Sequence, residues 1–415
     1  MTTRGVRMNQ SGQDSDQPAD QVTGPLTGIR VVDMTAVGMG PYCTQTLGDY
    51  GADVIKIESP DGDVFRYATP SKHHGMGAPF VQLNRNKRSI ILNLKQPRDL
   101  QVVKDLARRA DILVYNLRAQ AMRSLGLDYP SLCEINPRLV YCGVYGFSEQ
   151  GPYAGRPAFD DIIQAISGMA DLQGRGNGSP PVYVTSILAD KVTGLSAVNA
   201  ILAALYERSQ SGIGQSIEVP MFETMVSFNL MEHMAGATFG GQPDDMGYAR
   251  ALSPHRKPFR TQDGYIGLLP YTSQQWQRFF EIAGCPQVLE SPRFSTPSER
   301  AKHIGELYAM LEDITAHKTT DQWMALLEKA DIPATPVNRL EDLLTDPHLV
   351  ATGMFETRNH PTEGSITMTR PPARFSRTPS SIDKLAPAHG EHNDEIFDAQ
   401  TGAIRVWPER NPEKE

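Results

Sequence analysis

Cysteine is scarce in this sequence, and its spacing excludes two architectures at once. Four occur in 415 residues, Cys43, Cys133, Cys142 and Cys285, widely scattered and with no CxxC pair. Neither a zinc site nor a disulfide framework is therefore indicated, and reduced thiols are expected. Positive charge is not in excess either. The net charge of −8 argues against nucleic acid as a main partner, although an acidic chain can still carry a local basic pocket for a phosphorylated ligand. No apolar run approaches the roughly 20 residues of a bilayer span, and the start lacks a basic segment followed by an apolar stretch and cleavage site. A cytoplasmic location is the expectation. No histidine lies between His74 and His233, so histidine general-base chemistry there would need a side chain brought in from elsewhere. The pairs His73–His74 and His389/His392 have no further ligand residue nearby and read as surface groups, so no metal is expected.

What is present reads as an ordinary globular protein, with 40% hydrophobic and 21% charged residues. The length exceeds what one core usually organises, so two domains are expected. Residues 1–24 are polar and predict a disordered leader. From Gly28 onward short apolar runs, IRVVDM (29–34), ADVIKIE (52–58), RSIILNL (88–94), ADILVYN (110–116) and RLVYCGVYGF (138–147), alternate with helical periods. That pattern predicts an α/β fold with a parallel, Rossmann-like sheet over 25–224. Residues 225–330 read as a smaller α+β domain, and 331–415 as a Pro-rich linker and a C-terminal segment returning to the large domain.

Three stretches carry candidate chemistry. In VVDMTAVGMGPYC a strand feeds a turn with Gly38 and Gly40, and Glu58 follows at the end of the next strand. The third small residue of a dinucleotide fingerprint is absent, which favours a tight structural turn over nicotinamide binding. NRNKRS (84–89) places Asn86, Lys87 and Arg88 at a sheet edge where phosphate oxygens find charged donors. In GRPAFDDIIQAISG (155–168), Pro157 precedes a helix whose apolar residues Phe159, Ile162, Ile163, Ile166 and Met169 follow a 3.6-residue period. Asp160 and Asp161 then fall in the first turn, away from the apolar face. They serve either as capping carboxylates or, one of them, as a nucleophile forming an acyl intermediate; helical phase does not choose between them.

Six segments in order, LTGIRVVDMTAVGMGPYCTQTLGDYGADVIKIE, NRNKRSIILNLK, GFSEQGPYAGRPAFDDIIQAISG, SGIGQSIEVPMFE, DIPATPVNRLEDLLTDPHL and GEHNDEI, resemble those of the class III coenzyme A transferases of the CaiB/BaiF type. The resemblance implies a Rossmann-like large domain, a smaller α+β domain, and two ring-like subunits interlocked as a homodimer. It implies CoA transfer from an acyl-CoA thioester to a free carboxylic acid, with no permanently bound cofactor. Asp160 would be the acyl acceptor, passing through a mixed anhydride and an aspartyl-CoA thioester. Asn86, Lys87, Arg88, Asn116, Leu117, Arg123, Glu58 and Pro60 would contact CoA. The alternative on the same fold is a CoA-thioester isomerase or alpha-methylacyl-CoA racemase, but the histidine that racemase members carry about thirty residues upstream of their Asp is missing. Gly38 and the segment RALSPHRKPF (250–259) depart from the formyl-CoA transferase pattern. His255, Arg256, Lys257 and Arg260 offer a positive loop suited to a dicarboxylate acceptor such as succinate, or a solvated surface.

Overall fold

The structure, a computed structural model, describes residues 24–409; apart from Gly24, the expected leader lies outside them. Six strands, β1 (Arg30–Met34), β2 (Asp53–Glu58), β3 (Lys87–Ile91), β4 (Ile112–Tyr115), β5 (Val140–Tyr145) and β6 (Ser216–Pro220), form one parallel sheet in the order β3-β2-β1-β4-β5-β6. Helices cover both faces, which is why the strands read as continuous apolar runs rather than alternating ones. Alternate residues serve opposite cores: Val31, Val54 and Ile112 pack with Leu47 and Ile201 on one side, Val32, Ile55 and Leu113 with Ile90 and Leu106 on the other. The strand order reverses between β1 and β4. The chain leaves these neighbours in opposite directions, opening a crevice at their C-terminal ends, where open α/β sheets bind ligands.

The helices that border this crevice are α1 (Met39–Asp49), α3 (Asp160–Ile166), α4 (Leu188–Ser211) and α5 (Met221–His233), while α2 (Pro97–Arg109) lies on the opposite core. Contrary to the sequence expectation, α4 is long and apolar enough to cross a membrane by length and composition. It instead packs against α1, α3, α5 and β5, with Ala189, Ala197, Val198 and Ile201 buried. Its Ala- and Gly-containing face permits that close approach; a Cβ on Gly194 would stand 2.7 Å from the Met39 carbonyl oxygen.

A separate apolar cluster holds Phe279, Phe280, Leu307, Trp323 and Leu327 beneath an antiparallel sheet of β7 (Phe259–Arg260), β8 (Tyr265–Leu268) and β9 (Ala334–Pro336). Helices α6 (Ser273–Ile282), α7 (Ile304–Thr315) and α8 (Thr320–Lys329) supply its apolar side chains. Two sequence boundaries shift. The third strand of this sheet lies beyond residue 330, because Ala334–Pro336 pairs with β8. Met225, expected in the smaller unit, is fully buried in the core of the six-stranded sheet because α5 packs on α4.

After a hairpin of β10 (Phe355–His360) and β11 (Gly364–Thr369), the chain runs along β3. The Asn86 amide donates to the Ser381 carbonyl, the Ile91 N–H to the Asn393 side chain, and the Trp407 indole to Asp53. The exposed edge that β3 would present is thereby covered.

Candidate active site

The first turn of α3 separates the two aspartates. Phe159 caps the helix in an extended conformation, with Asp160 and Asp161 following it. The sequence period predicts Phe159, Ile162 and Ile166 on the buried face. They are instead 65%, 50% and 39% exposed, and the buried face is Asp160, Ile163, Gln164 and Ser167, at the i, i+3, i+4, i+7 spacing of one helical side. That side meets the start of α4. The Asp190 backbone N–H donates to Asp160 Oδ1 at 2.9 Å, and Gln164 Nε2 donates to Asp160 Oδ2 at 2.5 Å. Gln164 is itself fixed, since its Oε1 accepts from the Val184 N–H at 2.9 Å and its Nε2 also donates to the Ser186 carbonyl. Asp161 is exposed. One carboxylate is held at both oxygens; its neighbour faces solvent.

Asp190, the third residue of α4, carries a carboxyl of its own at this point. It is 8% exposed, and burial, with the nearby charge of Asp160, pushes its pKa up to about 7. No local pattern marks it as a site residue, and no side chain caps the start of its helix. The turn before α1 accommodates it. A Cβ on Gly38 would stand 2.3 Å from Asp190 Oδ2, and one on Gly40 would stand 2.4 Å from Thr35 Cβ. Gly38 and Gly40 are needed for close approach, not for a nucleotide fingerprint. No side chain caps α1, so the N–H groups of its first turn, which no intrahelical carbonyl can reach, are the donors bordering this space.

A buried ionic network holds that turn. Val37 adopts φ +71°, and its N–H donates to Asp63 Oδ1. Lys56 Nζ bridges Asp63 Oδ2 and the Thr35 carbonyl at 2.9 and 2.7 Å. Burial alone would lower the Lys56 pKa, but Asp33, Asp63 and Glu58 hold it above the usual lysine value. Burial likewise would raise Glu58, yet the bidentate Arg66 at 2.6 and 2.7 Å and the charge of Lys56 bring it to about 2.

Two cavities open from the crevice at the sheet's switch point. One, of about 350 Å³, is bordered by Gly38, Tyr145, Phe159, Asp190 and the guanidinium-bearing Arg118 and Arg156. The other, of about 310 Å³, is lined by Glu58, Pro60, Asn116 and Leu117 among others. Both include Ala36 and Asn116. The Asn116 amide pairs with both the N–H and the carbonyl of Ala36 at 3.1 and 2.8 Å, fixing the wall they share. Four of the sequence candidates, Glu58, Pro60, Asn116 and Leu117, thus line one cavity that adjoins the one beside Asp160.

Other candidates are placed elsewhere. Lys87 is fully buried, with Nζ donating to Asp33 Oδ2, Asn84 Oδ1 and the Pro41 carbonyl. Burial, only partly offset by Asp33, lowers its pKa to about 8. Arg88 pairs with Asp53 and Glu395 at 2.6 Å each, and Asn86 with Asp49 and the 381–384 backbone. These three are corrected from ligand donors to framework. The C-terminal segment buries the strand edge at which they were expected to meet phosphate, and their donors other than Arg88 Nε are engaged by protein groups. Arg123 pairs with Glu149 at 3.2 Å on the surface and borders neither cavity; Arg118 borders one instead. In the small unit, His255 and Lys257 both turn to Glu312, and Arg256 faces a different cavity of about 900 Å³. Among the described residues, no group of three His, Cys, Asp or Glu side chains could hold a metal ion.

The family model described as CoA-transferase family III matches residues 26–393. An acyl-CoA transferase of Fusarium pseudograminearum is 34% identical over 393 residues, covering 92% of this chain and 86% of that protein. The succinyl-CoA:glutarate CoA-transferase of Mus musculus is 32% identical over 377 residues, covering 90% of this chain and 86% of the other. A formyl-CoA:oxalate CoA-transferase of Streptomyces coelicolor is 32% identical over 404 residues, covering 91% and 95%. The crystal structure of a CaiB/BaiF family protein from Brucella suis superposes with a TM-score of 0.76 at 34% identity, covering 90% of this chain and 98% of the other.

Proposed function

The chain belongs to CoA-transferase family III, and we propose that it moves coenzyme A from an acyl-CoA thioester to a free carboxylic acid with Asp160 as the acyl acceptor. The observation that carries this reading is the carboxylate itself: Asp160 is buried, gripped at both oxygens by N–H donors, and set beside a cavity at the sheet's switch point. A nucleophile so fixed needs no reorganisation on attack.

In the first half-reaction an Asp160 oxygen bonds to the thioester carbonyl carbon, the C–S bond breaks, and the electron pair leaves on sulfur. The product is a mixed anhydride. The CoA sulfur then attacks the Asp160 carbonyl, freeing the donor acid and leaving an aspartyl-CoA thioester. The acceptor carboxylate attacks that thioester to give a second anhydride, and sulfur attacks its acyl carbon, releasing the new acyl-CoA and Asp160. The backbone N–H groups at the start of α1, which no side chain caps, are the donors we assign to the oxyanions. The crevice lined by Glu58, Pro60, Asn116 and Leu117 is suited to the body of CoA.

A dicarboxylate acceptor is the class we assign. It rests on relatives named for succinyl-CoA and glutarate and on Arg118 and Arg156 at the mouth of the cavity beside Asp160. No histidine lines either cavity, which disfavours proton exchange at the α-carbon by a His–Asp pair. A homodimer completes the reading, supported by exposed apolar side chains at α3 and on α5, Phe159, Ile162, Phe228 and Met231. Light scattering at micromolar concentration tests that assembly, and a monomer would refute it.

Chemistry is tested by incubating the protein with succinyl-CoA and glutarate and following glutaryl-CoA. Borohydride or hydroxylamine added after succinyl-CoA alone should modify Asp160. Asp160→Asn should abolish both exchange and modification; an active enzyme with an unmodified Asp160 would overturn the mechanism.

A further inference from the structure

The reaction leaves one proton problem that Asp160 cannot solve. A thiolate must depart from the acyl carbon, survive in the cleft, and return as nucleophile. Asp160 is spent as the attacking group, and no histidine borders the cavity. Of the two other carboxyls bordering this cavity, Glu149 is paired with Arg123, which leaves Asp190. The Asp190 main chain touches Asp160 Oδ1, its side chain abuts Gly38, and the residue borders the cavity with Phe159 and Met221. No described residue donates a hydrogen bond to its carboxyl oxygens, whereas both oxygens of Asp160 are engaged. Phe159, the residue before Asp160, and Asp190, whose N–H holds Asp160, border the same cavity.

We propose that Asp190 is the general acid and base for the CoA sulfur. As the C–S bond breaks, the proton on the Asp190 carboxyl passes to sulfur, leaving CoA thiol and an Asp190 carboxylate. When sulfur attacks the aspartyl carbonyl, the same carboxylate takes the proton back. The second half-reaction repeats the exchange, and no proton is gained or lost over the cycle. The proposal rests on Asp160 as acyl acceptor.

The electrostatics suit the role. A free thiol titrates near about 8.5, and the Asp190 carboxyl at about 7 is acidic enough to protonate a thiolate yet basic enough to recover the proton near neutrality. The charged and titratable groups around it are few. Asp160 faces it from α3, and α1 presents only Gly38 and Met39. From the β5 side come Tyr145, whose hydroxyl donates to Glu218, and Glu149, whose carboxylate pairs with Arg123. Arg118 and Arg156 stand at the mouth, and α5 contributes Met221. Burial and Asp160 account for its raised value, and neither arginine offsets them. An asparagine at this position would be neutral at every pH, so a carboxyl kept beside a second carboxylate points to proton transfer rather than packing.

The test uses the full chain and succinyl-CoA as probe, with acid-quenched mass spectrometry of the Asp160 peptide between pH 6 and 9. Wild type should form the adduct with a rate that falls above an apparent pKa near 7, where Asp190 loses its proton. Asp190→Asn keeps the backbone N–H on Asp160; it should form the adduct about 100-fold more slowly or worse, with no alkaline limb. Asp190→Glu should restore part of the rate and a limb at a displaced pH. A rate for Asp190→Asn within about threefold of wild type, or a slow variant that keeps the wild-type limb, overturns the proposal while leaving Asp160 in place. Absence of any wild-type adduct on Asp160 in an enzyme that exchanges CoA overturns the acyl-acceptor reading, and the role of Asp190 with it.

Discussion

Replacing Asp190 by Asn should make the protein more stable, and increasingly so as the pH rises. The carboxyl titrates near 3.8 when exposed and near 7 in the fold. Between those values the folded state holds a proton that the unfolded state has released, so raising the pH favours unfolding. Each pH unit between the two values is worth about 1.4 kcal/mol, which makes the full penalty about 4 kcal/mol above pH 7 for a side chain on a residue 8% exposed. Asparagine has the same shape, cannot ionise, and escapes the penalty. Urea titrations of both proteins at pH 5 and pH 8 are the assay. All other ionisable groups are shared, so their contributions cancel in the difference. At pH 5 the variant should gain about 1–2 kcal/mol and at pH 8 about 4 kcal/mol. A difference that stays constant with pH, or shrinks toward alkaline pH, would refute the placement of a protonated carboxyl beside Asp160. The same substitution is expected to cripple chemistry, which makes it a trade of activity for stability at one atom pair.

Three further perturbations follow from the same geometry. Gly38→Ala puts a methyl 2.3 Å from Asp190 Oδ2 and should fold, because the short carboxyl can swing away, while losing about 100-fold in kcat through misplaced groups; steady-state kinetics against the unfolding midpoint checks this. Gln164→Leu removes the donor to Asp160 Oδ2 and the acceptor for Val184, and kcat should fall about 100-fold with little change in KM. Lys56→Met strands Asp63 in the interior and frees the Thr35 carbonyl; a loss of about 3–5 kcal/mol in urea unfolding is expected, and a variant within 1 kcal/mol of wild type, roughly the size of an exposed pair, would contradict a fully buried network.

The strands and the Rossmann-like order were legible because a parallel sheet covered on both faces demands unbroken apolar runs, and each such run stands out locally. The basic stretch at 84–89 misled for the opposite reason. Whether Arg88 meets phosphate or protein depends on Glu395, some three hundred residues away, and Lys87 turns inward to Asp33 on a neighbouring part of the fold; no local pattern records either. The period around Asp160 misled differently. Phe159, Ile162 and Ile166 are apolar but face outward, so the helix was assigned the wrong buried side.

The strands, the family resemblance and, through the ordered motifs, the preference for Asp160 over Asp161 are all written locally in the chain. Those are properties of short-range periodicity and motif order. Which carboxylate is buried, and which second carboxyl joins it, depends on how the helices pack. Asp190 reaches Asp160 because α4 packs beneath the start of α3 and because Gly38 leaves room for a carboxyl. Its proton is retained because folding removes water from one carboxyl and sets another beside it. Thirty residues of chain separate the two aspartates, and a coupling of that kind exists only once the helices are packed.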